Sequence, residues 1–292
     1  MYQSHVNLVE IQLQNHRQNY MKIQNPSRLT LGKLLAVAAS CLAIQSAQAT
    51  LLFSEAFNYN TGALQNNVNG SSTWTGGNSG LTIASGNLTY AGLADQGGNE
   101  LQIANAAAGS SYIQFANQTS GQVYYSFLFN PSVVNSANNY FTALNPGVST
   151  PNGGSDAINA YYYNNGKIEL RAAAQGATAG TGTALTLGTT YLIVEMLDLD
   201  AKTASLWINP DSSTFGGTAP AAIASLSGVT ATAIDNVGFK AQSGTGTFLV
   251  DNLLIGTTWA DVTPTTVPEP STLVLAGLGL LGLATRFRRP QQ

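Results

Sequence analysis

Histidine and cysteine are almost absent from this sequence. Its two histidines, His5 and His16, and its one cysteine, Cys41, all precede residue 50. The rest of the chain therefore has no Ser-His-Asp or Cys-His catalytic arrangement, no usual zinc site and no disulfide framework. Two kinds of chemistry remain available, because glycoside hydrolysis needs only a pair of carboxyl groups and calcium takes oxygen ligands alone.

Positive charge is also scarce in the central part of the chain. Between residues 50 and 267 twelve acidic residues face only four cations, which leaves a net charge of −8; the cations are Lys167, Arg171, Lys202 and Lys240. Nucleic acid requires a basic footprint on its protein partner, so no nucleic-acid partner is predicted. Adhesion to anionic lipid headgroups is disfavoured for the same reason.

The N-terminal residues predict a signal peptide. Arg28 and Lys33 supply a positive n-region, an apolar stretch covers residues 34–44, and Ala47-Gln48-Ala49 forms a small-x-small cleavage site. We expect cleavage between Ala49 and the residue after it. Residues 1–49 are thus interpreted as a signal peptide with an extended n-region.

The start of translation is left open by the sequence. Residues 1–20 show no periodic apolar face, and Met21 offers a second start beside Met1. Cys41 raises the question of a lipoprotein signal, but the residues before it lack the leucine usual in a lipobox. We therefore expect a cleaved signal peptide without lipidation.

The C-terminal residues combine a rigid turn, a short apolar run and a basic end. In order, these are Pro268-Glu269-Pro270, residues 272–284, and the arginines Arg286, Arg288 and Arg289. At about 1.5 Å per residue, the apolar run covers roughly 20 Å of a hydrocarbon core of about 30 Å. This makes it a poor permanent membrane anchor and a suitable temporary one. Arginines resist translocation, so the body of the protein is expected on the outer side of the membrane.

This order of parts resembles the bacterial PEP-CTERM sorting signal, with Pro268-Glu269-Pro270 as its motif. The resemblance implies processing by an exosortase, an integral membrane transpeptidase that removes the tail as the protein moves to the cell surface. Residues 271–292 would then form a short hydrophobic helix with a basic tail, and the protein would sit in the inner membrane only transiently. The alternative interpretation is a Pro-rich linker before an ordinary tail anchor.

Between the two signals, residues 50–262 predict an all-β domain, an antiparallel β-sandwich, followed by a linker at 263–270. The stretch 123–129 alternates apolar residues on one face with Tyr124, Ser126 and Leu128 on the other. Two hairpins are predicted, at 160–172 around an Asn-Gly turn and at 190–209. The Gly/Ser/Asn-rich pieces around 66–80, 145–156 and 174–183 are interpreted as loops.

Four segments of this body carry a second resemblance. Residues 52–59, 85–90, 204–210 and 250–261 resemble, in order, parts of the concanavalin A-like, LamG-type jelly rolls found in PEP-CTERM proteins. The resemblance implies a jelly-roll body. It implies little about function, because this fold hosts lectins, glycosidases and structural modules alike.

A carboxylate cluster at Glu195, Asp198 and Asp200 is the candidate for catalysis. Glycosidases that share this fold place such carboxylates two residues apart on one strand, so that all face the same cleft. Here the first offset is three residues, so in an extended strand Glu195 points opposite to Asp198 and Asp200. We therefore predict no catalytic residues and no enzymatic activity.

Aromatic residues are the candidates for glycan binding. Tyr161, Tyr162, Tyr163 and Trp207 could present flat rings to the apolar C–H edges of sugars, with nearby amides taking the hydroxyl groups. The alternative is ordinary packing, because strands favour tyrosine and tryptophan in any case.

Glu55 and Asp251 are the candidates for a metal site. Similar jelly rolls bring the first and last strands together around a structural calcium, and carboxylates suit a hard cation. The alternative is a pair of surface carboxylates, since the sequence contains no Asp-x-Asp-x-Asp loop.

The sequence as a whole predicts an exported protein of the cell surface or extracellular matrix. Its expected role is binding or scaffolding in an extracellular polysaccharide (exopolysaccharide) matrix. A glycan-active enzyme that relies on carboxylates is the second hypothesis, and a structural surface protein without a ligand is the third.

The sorting motif generates the first testable prediction. Replacing Pro268, Glu269 and Pro270 by alanines is expected to leave an uncut precursor in the inner membrane, with the sandwich still folded. The prolines fix φ and remove N–H donors, so they keep the segment from extending the following helix and leave it accessible to a processing enzyme. In a host with an active exosortase, mass spectrometry should find the wild-type chain without residues beyond about 270. An intact Arg288-Arg289 end on surface-localised protein would contradict the prediction.

Overall fold

The structure, a computed structural model, describes residues 50–77, 79–147, 151, 156–172, 177–180, 182 and 184–265. Its strands, in chain order, are β1 (Leu51–Glu55), β2 (Gly62–Ala63), β3 (Val68–Asn69), β4 (Ser72–Thr73), β5 (Thr75–Gly76), β6 (Leu81–Ala84), β7 (Glu100–Ile103), β8 (Gly109–Gln118), β9 (Gln122–Val133), β10 (Asn139–Asn145), β11 (Ile158–Tyr162), β12 (Ile168–Ala172), β13 (Ala177–Gly180), β14 (Tyr191–Asp198), β15 (Thr203–Ile208), β16 (Ala224–Ser227), β17 (Ile234–Ala241) and β18 (Thr247–Gly256). A 3₁₀ turn at Ser212–Thr214 and a helical turn, α1 (Trp259–Val262), complete the elements.

Two antiparallel sheets form the predicted sandwich. Sheet I has the strand order β16-β15-β14-β9-β18-β7-β6-β2, with β1 also paired to β18. Sheet II has the order β13-β12-β11-β10-β17-β8-β5, and β3 and β4 form a separate hairpin. The prediction of an all-β antiparallel sandwich is confirmed.

Alternation along the central strands builds the core between the sheets. In β9, Val123, Tyr125, Phe127 and Phe129 point inward and are fully buried, as the sequence predicts. The edge-on and tilted contacts among the core rings include Phe129 with Phe248, whose centroids lie 5.0 Å apart. Burying one such aromatic side chain stabilises the fold by roughly 2–3 kcal/mol, so this strand face fixes how the sheets pack.

The two predicted hairpins form at β11–β12 and β14–β15. In the first, Gly166 has φ +76°, the left-handed conformation that a tight Asn-Gly turn requires. In the second, Lys202 takes the left-handed conformation with φ +57°. Two of the expected loops contain short strands, because 66–80 includes β3 to β5 and 174–183 includes β13.

A second, smaller core covers the outer face of sheet I. Tyr124, Leu128, Val194 and Trp207 point outward from their strands and pack under the turn α1. Ser126 fastens this turn to the sheet, because its hydroxyl donates to the carbonyl oxygen of Val262 at 2.7 Å. The outer face of sheet I is therefore largely sealed by the protein itself.

The body extends beyond the expected boundary at 262. Thr263 is fully buried, the amide of Ala94 donates to the carbonyl of Pro264 at 2.7 Å, and Thr265 pairs with Leu93. These three residues thus belong to the folded domain.

The sorting elements predicted at both ends lie outside the described residues. These are the signal peptide 1–49 with its cleavage residues Ala47 and Ala49, the motif Pro268-Glu269-Pro270, and the helix and basic tail at 271–292. Within residues 50–265, none of the described helices has the length and apolar character needed to cross a bilayer.

Candidate functional site

Three tyrosines gather on the outer face of sheet II. Tyr161 lies opposite Tyr140 in the β10–β11 register, and their ring centroids are 5.5 Å apart. The ring of Tyr163 follows at 5.9 Å from that of Tyr161. Tyr161 and Tyr163 are partly exposed, whereas Tyr140, on the neighbouring strand β10, is buried. We call these three residues the tyrosine row.

Two cations stack on the tyrosine row. The guanidinium of Arg171 lies 4.4 Å from the ring centroid of Tyr161. The ammonium group of Lys240 lies 4.2 Å from the ring centroid of Tyr140 and donates to its hydroxyl. Partial burial lowers the pKa of Lys240, while the charge of Asp156 acts in the opposite direction. Cation–π contact of this kind holds a long side chain in one place at a sheet surface.

The carboxyl groups of this face are already engaged. Glu169 interacts with the hydroxyl of Tyr163, and burial followed by this hydrogen bond raises the pKa of Tyr163 to about 12. Asp156 accepts a hydrogen bond from the amide of Asn159 at 3.1 Å. Both carboxylates thus support neighbouring side chains.

A group of buried asparagines continues the same face. Asn145 and Asn236 pair directly across β10 and β17, and Asn159 lies on the neighbouring strand β11. Among the described residues, both side-chain amide atoms of Asn145 and the side-chain oxygens of Asn159 and Asn236 have no hydrogen-bond partner. All three asparagines are fully buried, so they lie beneath the accessible surface of this face.

Part of this face is covered. The ring of Pro151 lies over Gly238, where an added Cβ atom would come within 2.5 Å of it. The carbonyl of Pro151 accepts hydrogen bonds from Ser110 at 3.1 Å and from Tyr140 at 3.4 Å. The accessible part of the face is therefore the β11–β12 side, with Tyr161, Tyr163 and Arg171.

The structure separates the four aromatic residues that the sequence singled out. Tyr161 and Tyr163 lie on the outer face, but Tyr162 points inward, is fully buried and packs on Phe129 and Phe248. The reason is the two-residue alternation of a strand, which prevents three consecutive side chains from sharing one face.

Trp207, the fourth predicted glycan-binding residue, is also buried. It points out of sheet I and is only 4% exposed, because Trp259 of α1 packs against it with ring centroids 5.2 Å apart. Its indole N–H donates to the carbonyl of Pro220 at 3.0 Å. Neither Trp207 nor Tyr162 is placed where a sugar could reach it.

Several residues of the site escaped the sequence reasoning. Asn159 alternates with Tyr161 and Tyr163, so the strand period alone could have placed it on their face. Tyr140 is visible in the sequence as a further aromatic residue, but its position opposite Tyr161 could not be predicted, because that position depends on strand pairing and on an irregularity between Tyr140 and Thr142.

Glu55 is a structural hub. Its carboxylate is buried and accepts hydrogen bonds from the amide of Phe57 at 2.8 Å, the hydroxyl of Tyr59 at 2.6 Å, Asn69 at 3.1 Å and the indole of Trp74 at 3.0 Å. Four donors use the lone pairs that a metal ion would need. The network instead ties β1 to the β3–β4 hairpin and to the core.

Asp251 faces away from Glu55. Asn252, with φ +54°, is an extra residue in β18 relative to its partner strand β9. Because of this bulge, Asp251 points to the outer side of sheet I, whereas Leu253 points inward. Leu253 is the residue that pairs with Glu55. Burial raises the pKa of Asp251 to about 7 despite hydrogen bonds from the amides of Leu88 and Asn252. The structure therefore does not bring the two predicted calcium ligands together, and the described residues contain no cluster of three or more acidic side chains suited to a metal.

Glu195 points opposite to Asp198, as the sequence predicts. Its side chain enters the core between the sheets, next to Tyr125, and is 1% exposed. Neither carboxyl oxygen has a hydrogen-bond partner among the described residues. Burial accordingly raises the pKa of Glu195 to about 8. At pH 7 this carboxyl group is therefore protonated and uncharged, and it lies in the core rather than in a cleft.

The second testable prediction concerns stability against pH. The folded pKa of Glu195 is raised from its ordinary value of 4.5 to about 8, so unfolding releases a proton in this range. The contribution of Glu195 to the free energy of unfolding is expected to be fully present below pH 4.5 and to fall by roughly a few kcal/mol as pH rises to 8. Urea denaturation at several pH values should show that Glu195→Gln removes most of this slope.

Two variants control this experiment. Asp251→Asn should remove a smaller part of the slope, because the raised pKa of Asp251 acts with the same sign. Asp198→Asn should leave the range from pH 5 to 8 unchanged, because hydrogen bonds lower the pKa of Asp198. A wild-type slope retained in Glu195→Gln would contradict the assignment.

The C-terminal residues of the chain match a known protein-sorting motif. Residues 266–289 match the PEP-CTERM protein-sorting motif, which confirms the prediction made from Pro268-Glu269-Pro270. The motif marks the chain as an exported protein that is sorted to the cell surface, with processing by an exosortase. No curated protein in the comparison matches the chain.

Solved structures resemble the chain only distantly. A sialidase has 11% sequence identity and a TM-score of 0.44 over 73% of this chain and 19% of its own. The globular domain of T. cruzi calreticulin has 11% identity and a TM-score of 0.43, over 82% of this chain and 100% of its own. Lectin II from Ulex europaeus has 14% identity and a TM-score of 0.43, over 70% of this chain and 98% of its own. The chain thus spans about a fifth of the sialidase, and the ligands of these proteins remain properties of those proteins.

Proposed function

We propose that this exported, PEP-CTERM-sorted protein is a binding or scaffolding component of an extracellular polysaccharide matrix and that it contacts glycan through the outer face of sheet II. The observation that carries the proposal is the tyrosine row, in which three rings lie side by side next to amide and charged groups. The jelly-roll resemblance of the sequence is consistent with this role.

The chemistry of the face suits a sugar polymer. Aromatic rings offer apolar area with a polar hydroxyl at one end, which matches the mixed surface of a sugar ring. The hydroxyl group of Tyr161 and the guanidinium of Arg171 add hydrogen-bonding atoms at the accessible part of the face. Because the rings contact one another and Arg171, they are already ordered and lose little conformational entropy on binding.

We further propose that the protein is not an enzyme. The carboxyl group of Glu195 lies in the core, and Asp198 is occupied at the β14–β15 turn, where it accepts hydrogen bonds from the amides of Asp200 and Ala201. One observation keeps a glycan-active enzyme as the second candidate. Glu169 and Asp156 both lie on the face of the tyrosine row, so a carboxylate-dependent activity would use them.

Binding generates the third testable prediction. In the mature protein purified from its host, the double substitution Tyr161→Ala and Tyr163→Ala is expected to weaken glycan binding by roughly thirtyfold, because each lost ring removes roughly 1 kcal/mol of contact. A glycan array identifies the bound polymers, and calorimetry measures the change. Tyr90→Ala is the matched control, since Tyr90 is a partly exposed tyrosine on the sheet I side. Equal weakening in both variants would contradict the proposed site.

Activity generates the fourth testable prediction. No release of reducing ends is expected from any polysaccharide that the protein binds. A turnover that disappears in Glu169→Gln or Asp156→Asn, while circular dichroism shows an intact fold, would promote the enzyme hypothesis instead.

A further inference from the structure

The cations of the domain are concentrated on one face. Of the four cations between residues 50 and 265, Arg171 and Lys240 stack on the tyrosine row. Lys167 precedes the inward-facing Ile168 and pairs with Tyr163, so alternation places it on the same outer face. The fourth, Lys202, is used internally, because its ammonium group donates to the carbonyl of Ala231 at 2.8 Å.

The strand register surrounds the accessible tyrosines with these cations. Arg171 on β12 lies opposite Asn159, one alternation away from Tyr161, and Lys167 lies beside Tyr163 at the hairpin end. Lys240 on β17 approaches from the other side, through Tyr140. The same register puts Glu169 directly opposite Tyr161, between Lys167 and Arg171, where it interacts with the hydroxyl of Tyr163. A ligand that lies along the accessible tyrosines would therefore meet Arg171 and Lys167 on either side of one carboxylate that is already engaged.

The guanidinium of Arg171 has unused hydrogen-bonding capacity. Its contact in the structure is with the ring of Tyr161, and in the described part of the chain no ion pair joins it to a carboxylate. The nearest carboxylate on its own strand, Glu169, interacts with Tyr163 instead. A guanidinium that stacks on an aromatic ring keeps its N–H edge available, and this edge binds a carboxylate through two parallel hydrogen bonds.

We infer that the glycan bound by this face is acidic, with a sugar carboxylate held at Arg171 and Lys167 and Lys240 providing flanking positive charge. This inference rests on the proposed function and specifies its ligand. The charge balance of the domain supports it, because three of its four cations lie on this face beside the two engaged carboxylates Glu169 and Asp156, whereas the domain as a whole has a net charge of −8. Rings and cations together thus select an acidic polymer over a neutral one.

The experiment compares two forms of one polymer. Polygalacturonate and its fully methyl-esterified form share a backbone and differ in charge, so their affinities for the mature protein isolate the carboxylate contribution. We expect binding of polygalacturonate to be at least tenfold tighter at low ionic strength, with the difference shrinking in about 0.5 M salt, where the Debye length is only about 4 Å. Arg171→Gln should abolish the preference while retaining binding of the ester.

Two further variants keep the test decisive. Lys202→Gln removes a cation outside the face and should change neither affinity. If Arg171→Gln does not fold, Arg171→Lys retains the charge without the planar fork and should still lose most of the preference. Thermal unfolding of each variant establishes that the sandwich is intact.

The outcomes separate the inference from the proposed function. Equal affinity for the two polymers, or an acidic preference that survives in folded Arg171→Gln and Arg171→Lys, would overturn the inference and leave glycan binding in place. Binding to neither polymer, together with no binding to any glycan on an array, would overturn the proposed function and the inference with it.

Discussion

Burial of one face of sheet II against sheet I decides which side chains of this protein can meet a ligand. In β11, Ile158, Ala160 and Tyr162 enter the core, so Asn159 and Tyr161 must point outward. A slip of one residue would exchange the two sets and expose apolar groups worth roughly 2 kcal/mol each. The tyrosine row is therefore held in place by the packing on the opposite side of its own strand.

The same packing determines the hydrogen bonds and the protonation of the buried carboxyl groups. Glu55 and Glu195 are both buried, but Glu55 receives four hydrogen bonds and Glu195 receives none from the described residues. Burial without donors favours the neutral form, so the pKa of Glu195 rises to about 8. These carboxyl groups serve the architecture in different ways, one as a hub of hydrogen bonds and one as a neutral core group. Neither is presented to a substrate.

Local patterns in the sequence predicted the parts of this structure that depend on local physics. The alternation of β9 and the opposite directions of Glu195 and Asp198 follow from the two-residue period of a strand, and the hairpin at 160–172 follows from its Asn-Gly turn. The separation of Glu55 from Asp251 could not be predicted, because it depends on one extra residue at Asn252 in the left-handed conformation. The burial of Trp207 was equally hidden, since α1 covers it from a distant part of the chain.

On the proposed function, the weakness of a single exposed ion pair favours a polymer as the ligand of this face. An exposed guanidinium–carboxylate pair contributes only about 0–1 kcal/mol, and the partly exposed rings of Tyr161 and Tyr163 add little more each. A repeating acidic polysaccharide offers the same group to many copies of the protein, so weak contacts accumulate through effective concentration. Sorting through the C-terminal motif directs the copies to the cell surface, where on the proposed function they would share one polymer. On the proposed function a modest face on each domain would thus suffice, whereas a catalyst would need a preorganised pair of carboxyl groups.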